Sequence, residues 1–213
     1  MKAHFNRLGI PSVLLLAGAI LATGAASLAS QGQSGKTLRD LQRAYVETNN
    51  DRAAFTAYAQ QADKEGYTGA ASLFRAAALS EEVHAKAYKR VIGALGGKVQ
   101  AGITKQARVR STYRNLEAAA NLDAAYTRDI LYPKFIKQAE KEQIPDAVKE
   151  FKFAKEGDAQ LFVLFHDAMV NLNSLRDSKV TYYVCTVCGY TSETSEAECP
   201  DCGAGAESYR EVR

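Results

Sequence analysis

A chain of 213 residues that is 46% hydrophobic and 24% charged carries enough apolar material for one good-sized core and a small appendage. Its 27 basic and 24 acidic residues, a net charge of +3, are well mixed, and no basic run or aromatic–basic interleaving marks a nucleic-acid surface. Nucleic acid is therefore not an expected partner.

Residues 1–29 read as an export signal. Lys2 and Arg7 form a charged start, Val13 to Ala22 an apolar stretch, and Ser27-Leu28-Ala29 a small-residue site for cleavage before Ser30. There is no Arg-Arg pair for the twin-arginine route and no cysteine near the cleavage point for lipidation. The rival reading is an uncleaved anchor, since Ile10 to Ala29 is about 20 residues, long enough to span a bilayer. Its many Ala and Gly residues make it only modestly apolar, which favours cleavage. Either way the folded part is expected outside the cytoplasm, in the periplasm or beyond, with a membrane as partner only if the segment is retained. Residues 30–36, rich in Gly, Ser and Gln, read as a linker.

Between Thr37 and Leu175 the only prolines are Pro133 and Pro145, and helix formers dominate. The pattern predicts four helices, at about 37–64, 67–95, 110–142 and 146–175. Gly66 separates the first two, Gly93, Gly96 and Gly97 close the second, and residues 96–109 make one long connection. Pro145 opens the fourth helix, where a missing N–H does no harm. The chain also repeats itself. A shift of 77 lays Ala62 on Ala139, Glu65 on Glu142, Ala70 on Ala147 and Phe74 on Phe151. The same shift lays Glu81 on Asp158, Tyr88 on Phe165 and Leu95 on Leu172. Two helical hairpins joined by a long crossover predict a mainly α fold, a ferritin-like four-helix bundle over residues 37–176.

Inside the second helix stands Ser80-Glu81-Glu82-Val83-His84-Ala85-Lys86. Glu81 and His84, three residues apart, project from one helix face. A carboxylate and an imidazole aimed at one point are what a bundle-core metal site takes from a single helix. The same spacing also occurs on ordinary solvated faces, so its neighbourhood has to decide.

After Arg176 the texture changes. Val180 to Val184 is a β-type run, followed by Cys185-Thr-Val-Cys188-Gly-Tyr190 and, with ten residues between Cys188 and Cys199, by Cys199-Pro-Asp-Cys202-Gly203. Two Cys-x-x-Cys knuckles, each followed by Gly, predict four thiolates around one tetrahedral metal in a small domain over residues 180–213. The glycines permit the tight turn that points backbone N–H groups at the sulfurs. Disulfides are the alternative in an exported protein, but structural staples poorly explain Gly and Pro in these places. Iron and zinc both accept four thiolates, and spacing does not separate them.

A duplicated bundle with Glu-x-x-His, followed by a two-knuckle module, resembles the rubrerythrin family. The resemblance runs from about Leu38 to Val212. It is carried by Leu41-Gln42, Ala62 to Tyr67, Ser72 to Ala77, Glu81 to Lys86, Asn115 to Ala119 and Tyr132 to Phe135. The last part, Tyr183 to Tyr190 with Cys199 to Gly203, looks like a rubredoxin. The resemblance implies a non-haem iron site in the bundle that reduces hydrogen peroxide, with a rubredoxin-type iron supplying electrons. It also implies a homodimer, paired head to tail so that one chain's rubredoxin-like module approaches the other's bundle. The electron donor is not named by the sequence.

The ligand set implied by the family is only partly present. Glu81 and His84 match. The first-helix position holds Thr48, with Glu47 one residue early, and one residue is about 100° of helix rotation, so Glu47 reaches the site only if the helix slips or bulges. In the third helix Asp123 fits when counted from Asn115. Counted back from Tyr132-Pro133 the same position is Ala124, so one residue has been inserted. In the fourth helix Asp158 replaces Glu and Leu161 stands where the second His belongs, while His166 lies off that face. Asp is shorter by one methylene, bringing its oxygens about 1.5 Å less far into the core. The bundle is thus expected to hold one or two irons, using Glu81, His84, Asp158, Asp123 and Glu47, with Glu81, His84 and Asp158 as the catalytic group. Against this exported peroxide reductase stands a non-enzymatic descendant, an electron carrier, metal-binding module or scaffold whose di-iron site has degenerated.

Overall fold

The structure, a computed structural model, describes residues 35–99, 105–121 and 127–213. The expected export segment and Asp123 lie outside the described residues. Helices α1 (Gly35–Lys64) and α2 (Thr68–Ala94) form the first hairpin. Gly35 and Lys36, expected to close the linker, are already helical.

The third expected helix is not one α-helix. Its described residues form α3 (Thr112–Ala119), a π-helical turn (Thr127–Leu131) and α4 (Tyr132–Lys141). Pro133 lies in the first turn of α4 and has no N–H for a carbonyl four residues back, so the regular ladder is interrupted there. A π turn absorbs one extra residue. The π turn lies within the span, between Asn115 and Tyr132, where one inserted residue is counted. Helix α5 (Pro145–Val170) follows, and a 3₁₀ turn (Leu172–Leu175) ends it earlier than the periodicity suggests.

The sequence repeat reappears as packing. One aromatic cluster gathers Phe55, Tyr58, Phe74 and Phe165; the other gathers Tyr132, Phe135, Phe151 and Tyr88. Each member of one stands 77 positions from a member of the other. Ring centroids reach 5.3 Å for Phe55–Phe165 and 5.3 Å for Phe135–Phe151. Burial of each ring contributes on the order of 1.5–3 kcal/mol.

The hairpins also lock each other. Gln61 Nε2 donates to Glu65 Oε1 at 2.8 Å, and Glu65 Oε2 accepts from Thr112 N (2.7 Å) and Thr112 Oγ1 (2.6 Å) at the start of α3. In the other half Gln138 Nε2 donates to Glu142 Oε1 at 2.6 Å, and Glu142 Oε2 accepts from Thr37 N at the start of α1 (2.9 Å). Each carboxylate satisfies otherwise unpaired first-turn N–H groups and lies at the positive end of the helix it caps.

The C-terminal residues build a three-stranded antiparallel sheet in the order β2-β1-β3, with β1 Tyr182–Cys185, β2 Thr191–Ser192 and β3 Tyr209–Val212. Tyr182 and Val184 of β1 alternate onto the face that enters the first aromatic cluster of the bundle. Thr68 Oγ1, at the start of α2, donates to Ser178 O at 2.7 Å. Bundle and sheet therefore share one core and belong to one compact unit.

Gly66 and Gln143 are repeat equivalents at the hairpin turns, with φ of 78° and 56°. Left-handed backbone costs a side-chain-bearing residue about 1–2 kcal/mol, against an entropic penalty for glycine of roughly 0.5–1 kcal/mol. Gln143→Gly is therefore expected to stabilise the protein by about 0.5–1 kcal/mol, read as a higher urea midpoint. Gly66→Ala should lower it.

Candidate metal centres

The four cysteines converge as the spacing requires. Cys185 Sγ lies 3.7 Å from Cys202 Sγ, and Cys188 Sγ lies 3.5 Å from Cys199 Sγ. A tetrahedron of sulfurs at about 2.3 Å from a metal has edges of roughly 3.8 Å, so the cage fits iron or zinc. The two knuckles use the same turn. Gly189 N donates to Cys185 O (2.9 Å) and Gly203 N to Cys199 O (2.8 Å), with Cys185 N and Cys199 N returning bonds to Tyr190 O and Ala204 O. Hydrogen bonds from Cys188 and from backbone N–H groups pull the pKa of the Cys185 thiol down, while the neighbouring Cys185 sulfur and burial push Cys188 up and burial pushes Cys202 up, so without a cation the negative charge rests on one sulfur of the four. The cysteines are free, not bridged.

The second centre lies where the knuckle meets the bundle. Glu81 and His84 come from successive turns of α2 and Asp158 from the facing turn of α5, each offering a ligand atom within 4.8 Å of the others. Glu81 and His84 are buried and Asp158 half-buried. His84 Nε2 is 3.0 Å from Cys188 O. A carbonyl only accepts, so Nε2 carries the proton and donates. Burial also pushes the imidazole's pKa down, favouring the neutral ring. The lone pair is then on Nδ1, which is buried, lacks a hydrogen-bond partner and faces Glu81 Oε2 at 3.6 Å. An orphaned acceptor beside two carboxylates is what a cation would satisfy, so this trio fits one metal ion.

Two small groups bring the knuckle this close. Ser80 Oγ donates to Gly189 O at 2.7 Å. A Cβ on Gly189, whose φ is 85°, would stand 2.4 Å from His84 Nε2, so the contact needs glycine on both steric and backbone grounds. Within the chain, the first knuckle and α2 are thus in direct contact.

On the side of Glu81 and Asp158 away from the cysteines lies a cavity of about 450 Å³. Its lining includes Glu47, Thr48, Asp51 and Leu161. Helix α1 stays regular through this region, so Thr48, not Glu47, is buried and hydrogen-bonds Glu81. Glu47 stands at the rim, with Oε2 3.4 Å from Lys105 Nζ, and is not part of the trio. Leu161 is buried as core, and His166 is exposed and stacked on Phe162. Sequence reasoning missed Asp51, a solvent-exposed residue that lines the cavity. The available signal was its place one helical turn beyond Glu47 and Thr48. It also missed Ser80 and the buried Tyr88–Tyr132 pair, whose hydroxyl oxygens are 3.3 Å apart.

The rubrerythrin family model matches residues 41–158. The chain is 28% identical to nigerythrin of Nitratidesulfovibrio vulgaris over 169 residues, 79% of this chain and 82% of the relative. It is 30% identical to rubrerythrin-1 of Clostridium acetobutylicum over 176 residues, 78% and 89% of the two chains. The fold is similar to that of fully reduced, all-ferrous nigerythrin, with a TM-score of 0.76 at 24% identity, covering 82% of this chain and 86% of that one. It is also similar to a bacterioferritin of Desulfovibrio desulfuricans, with a TM-score of 0.65 at 14% identity over 70% and 91%.

Without metal the carboxylates make stability pH-dependent. Burial pushes Glu81 up to about 8, with hydrogen bonding from Thr48 opposing it. Burial raises Asp158 as well. The folded state then binds more protons than the unfolded chain, whose carboxyls titrate near 4. The cost is absent below that pH, grows as pH rises and is complete above about 8. Metal-free protein should therefore show a falling Tm from pH 5 to pH 8, Glu81→Gln should flatten the fall, and added ferrous ion should oppose it.

Proposed function

Because the chain belongs to the rubrerythrin family, we propose that it is an iron oxidoreductase that reduces hydrogen peroxide at the Glu81–His84–Asp158 centre, with electrons entering through the four-cysteine iron. Its relatives are non-haem iron proteins and support a di-iron oxidoreductase role. The observation that carries the finer reading is the single side chain joining both centres: His84 offers Nδ1 to the bundle site while its Nε2–H is bonded to the carbonyl of Cys188, itself a cage residue.

Iron bound at these places supplies one-electron steps and Lewis acidity. The chain's own residues arrange the rest. Thr48 orients Glu81, the Cys188 carbonyl fixes the His84 tautomer, and Ser80 clamps the knuckle. The cavity opens beside Glu81 and Asp158, on the side away from the cysteines, so oxidant and electrons would arrive from opposite directions. Two electrons and two protons turn one peroxide into two waters, the electrons drawn from an external one-electron donor. The same reading proposes an exported protein, to be checked by mass spectrometry for a mature chain beginning near Ser30. It also proposes a head-to-tail homodimer, in which exchanged modules would make the same His84–Cys188 contact between chains, to be checked by solution mass.

Protein reduced without oxygen and mixed with peroxide should regain the visible absorption of its ferric four-cysteine centre. Gly189→Ala should keep that colour but slow its return at least tenfold, and His84→Ala should remove the peroxide-dependent phase. Equal rates in wild type and His84→Ala would overturn the relay. A colourless wild type holding zinc at the cysteines would favour the non-enzymatic reading.

A further inference from the structure

In the general ferritin-like di-iron plan six side chains hold the bundle metals, a Glu from each of two helices and a Glu-x-x-His pair from each of two others. Here the two halves of that plan have parted. On the α2 side the donor set is complete for one ion: Glu81, His84 and Asp158 within 4.8 Å of one another, with Nδ1 buried and unpartnered. On the repeat-related side Leu161 takes the place of the imidazole and packs as core at 3% exposure. Thr48 occupies the first-helix carboxylate position and spends its hydroxyl on Glu81. Glu47 pairs with Lys105 at the rim. Among the described residues neither Glu47 nor Asp51 enters a second group of three ligand atoms within that distance. Arg128, the repeat equivalent of Asp51, brings a guanidinium to the same end of the bundle, held by Asp129 through two 2.7 Å hydrogen bonds and lying 4.8 Å above the Phe162 ring. Its charge acts on Asp158. A second metal would meet Leu161 where it needs an imidazole and Thr48 where it needs a carboxylate.

We propose that the bundle centre of this chain is mononuclear, a single metal held by His84, Glu81 and Asp158, with the cavity standing where relatives keep a second ion. This rests on the proposed iron chemistry and narrows it. Three ligands on one side leave open positions toward a 450 Å³ cavity, large enough for a small molecule to reach the ion.

The test is a metal count on the full chain. The protein is loaded anaerobically with ferrous ion and freed of excess. Total iron is measured, with the four-cysteine centre quantified separately by its own absorbance. Two irons per chain, one outside the cysteine cage, are expected. After oxidation that iron should give the paramagnetic signal of an isolated ferric ion rather than the silence of a coupled pair. His84→Ala should lower the count to one. Leu161→His, checked for helical content, should raise it toward three. Three irons per wild-type chain with a coupled pair would overturn the mononuclear assignment and leave the proposed function standing. One iron per wild-type chain, all of it at the cysteines, would overturn both.

Discussion

The hydrogen bond between His84 Nε2 and the Cys188 carbonyl is the contact on which both centres depend. It sets the imidazole tautomer, so the lone pair faces the carboxylates and not the protein matrix. It also pins the first knuckle against α2, with Ser80 and Gly189 holding the same junction. A buried neutral imidazole is inexpensive to bury, whereas a charged one would not be. One proton position thereby couples the geometry of a sulfur cage to that of an oxygen–nitrogen site, with the ring as the shared wall.

The scaffold is nearly symmetric and its contents are not. Aromatic clusters, turn glutamates and left-handed turn residues all obey the 77-residue repeat. At the centre the rule fails: Glu81 faces Asp158, His84 faces Leu161, and Asp51 corresponds to Arg128. Packing at the ends of the bundle is set by volume and capping, which both halves need equally. The polar centre answers to chemistry, which only one half has kept.

The architecture was legible because its determinants are local. Helical periodicity, the 77-residue shift and the spacing of the cysteines each survive in one dimension. Even the insertion in the third helix could be counted, although nothing in Asn115 to Tyr132 says whether it becomes a loop, a bulge or a π turn. The trio of Glu81, His84 and Asp158 was visible as a motif and its repeat partner. Asp51 was not, because a carboxylate on a mixed helix face looks alike whether it meets water or a cavity. Ser80 was passed over because its partner is a backbone carbonyl 109 residues away, and backbone acceptors leave no trace in composition. Glu47 and Thr48 differ only by a rotation of the helix, which the regular course of α1 resolves in favour of Thr48.

The reciprocal caps have a consequence for where such a bundle comes from. Glu65 of the first hairpin closes the helix that opens the second, and Glu142 of the second closes the helix that opens the first. Each carboxylate has one oxygen bonded inside its own hairpin and the other only across to the second, so half of the bundle is an unfinished object. Two copies of one hairpin, placed about a two-fold axis, would satisfy both at once. The bonds that now join the halves of a single chain are those of an isologous interface, and fusion of a paired ancestor would have preserved them while freeing each half to diverge.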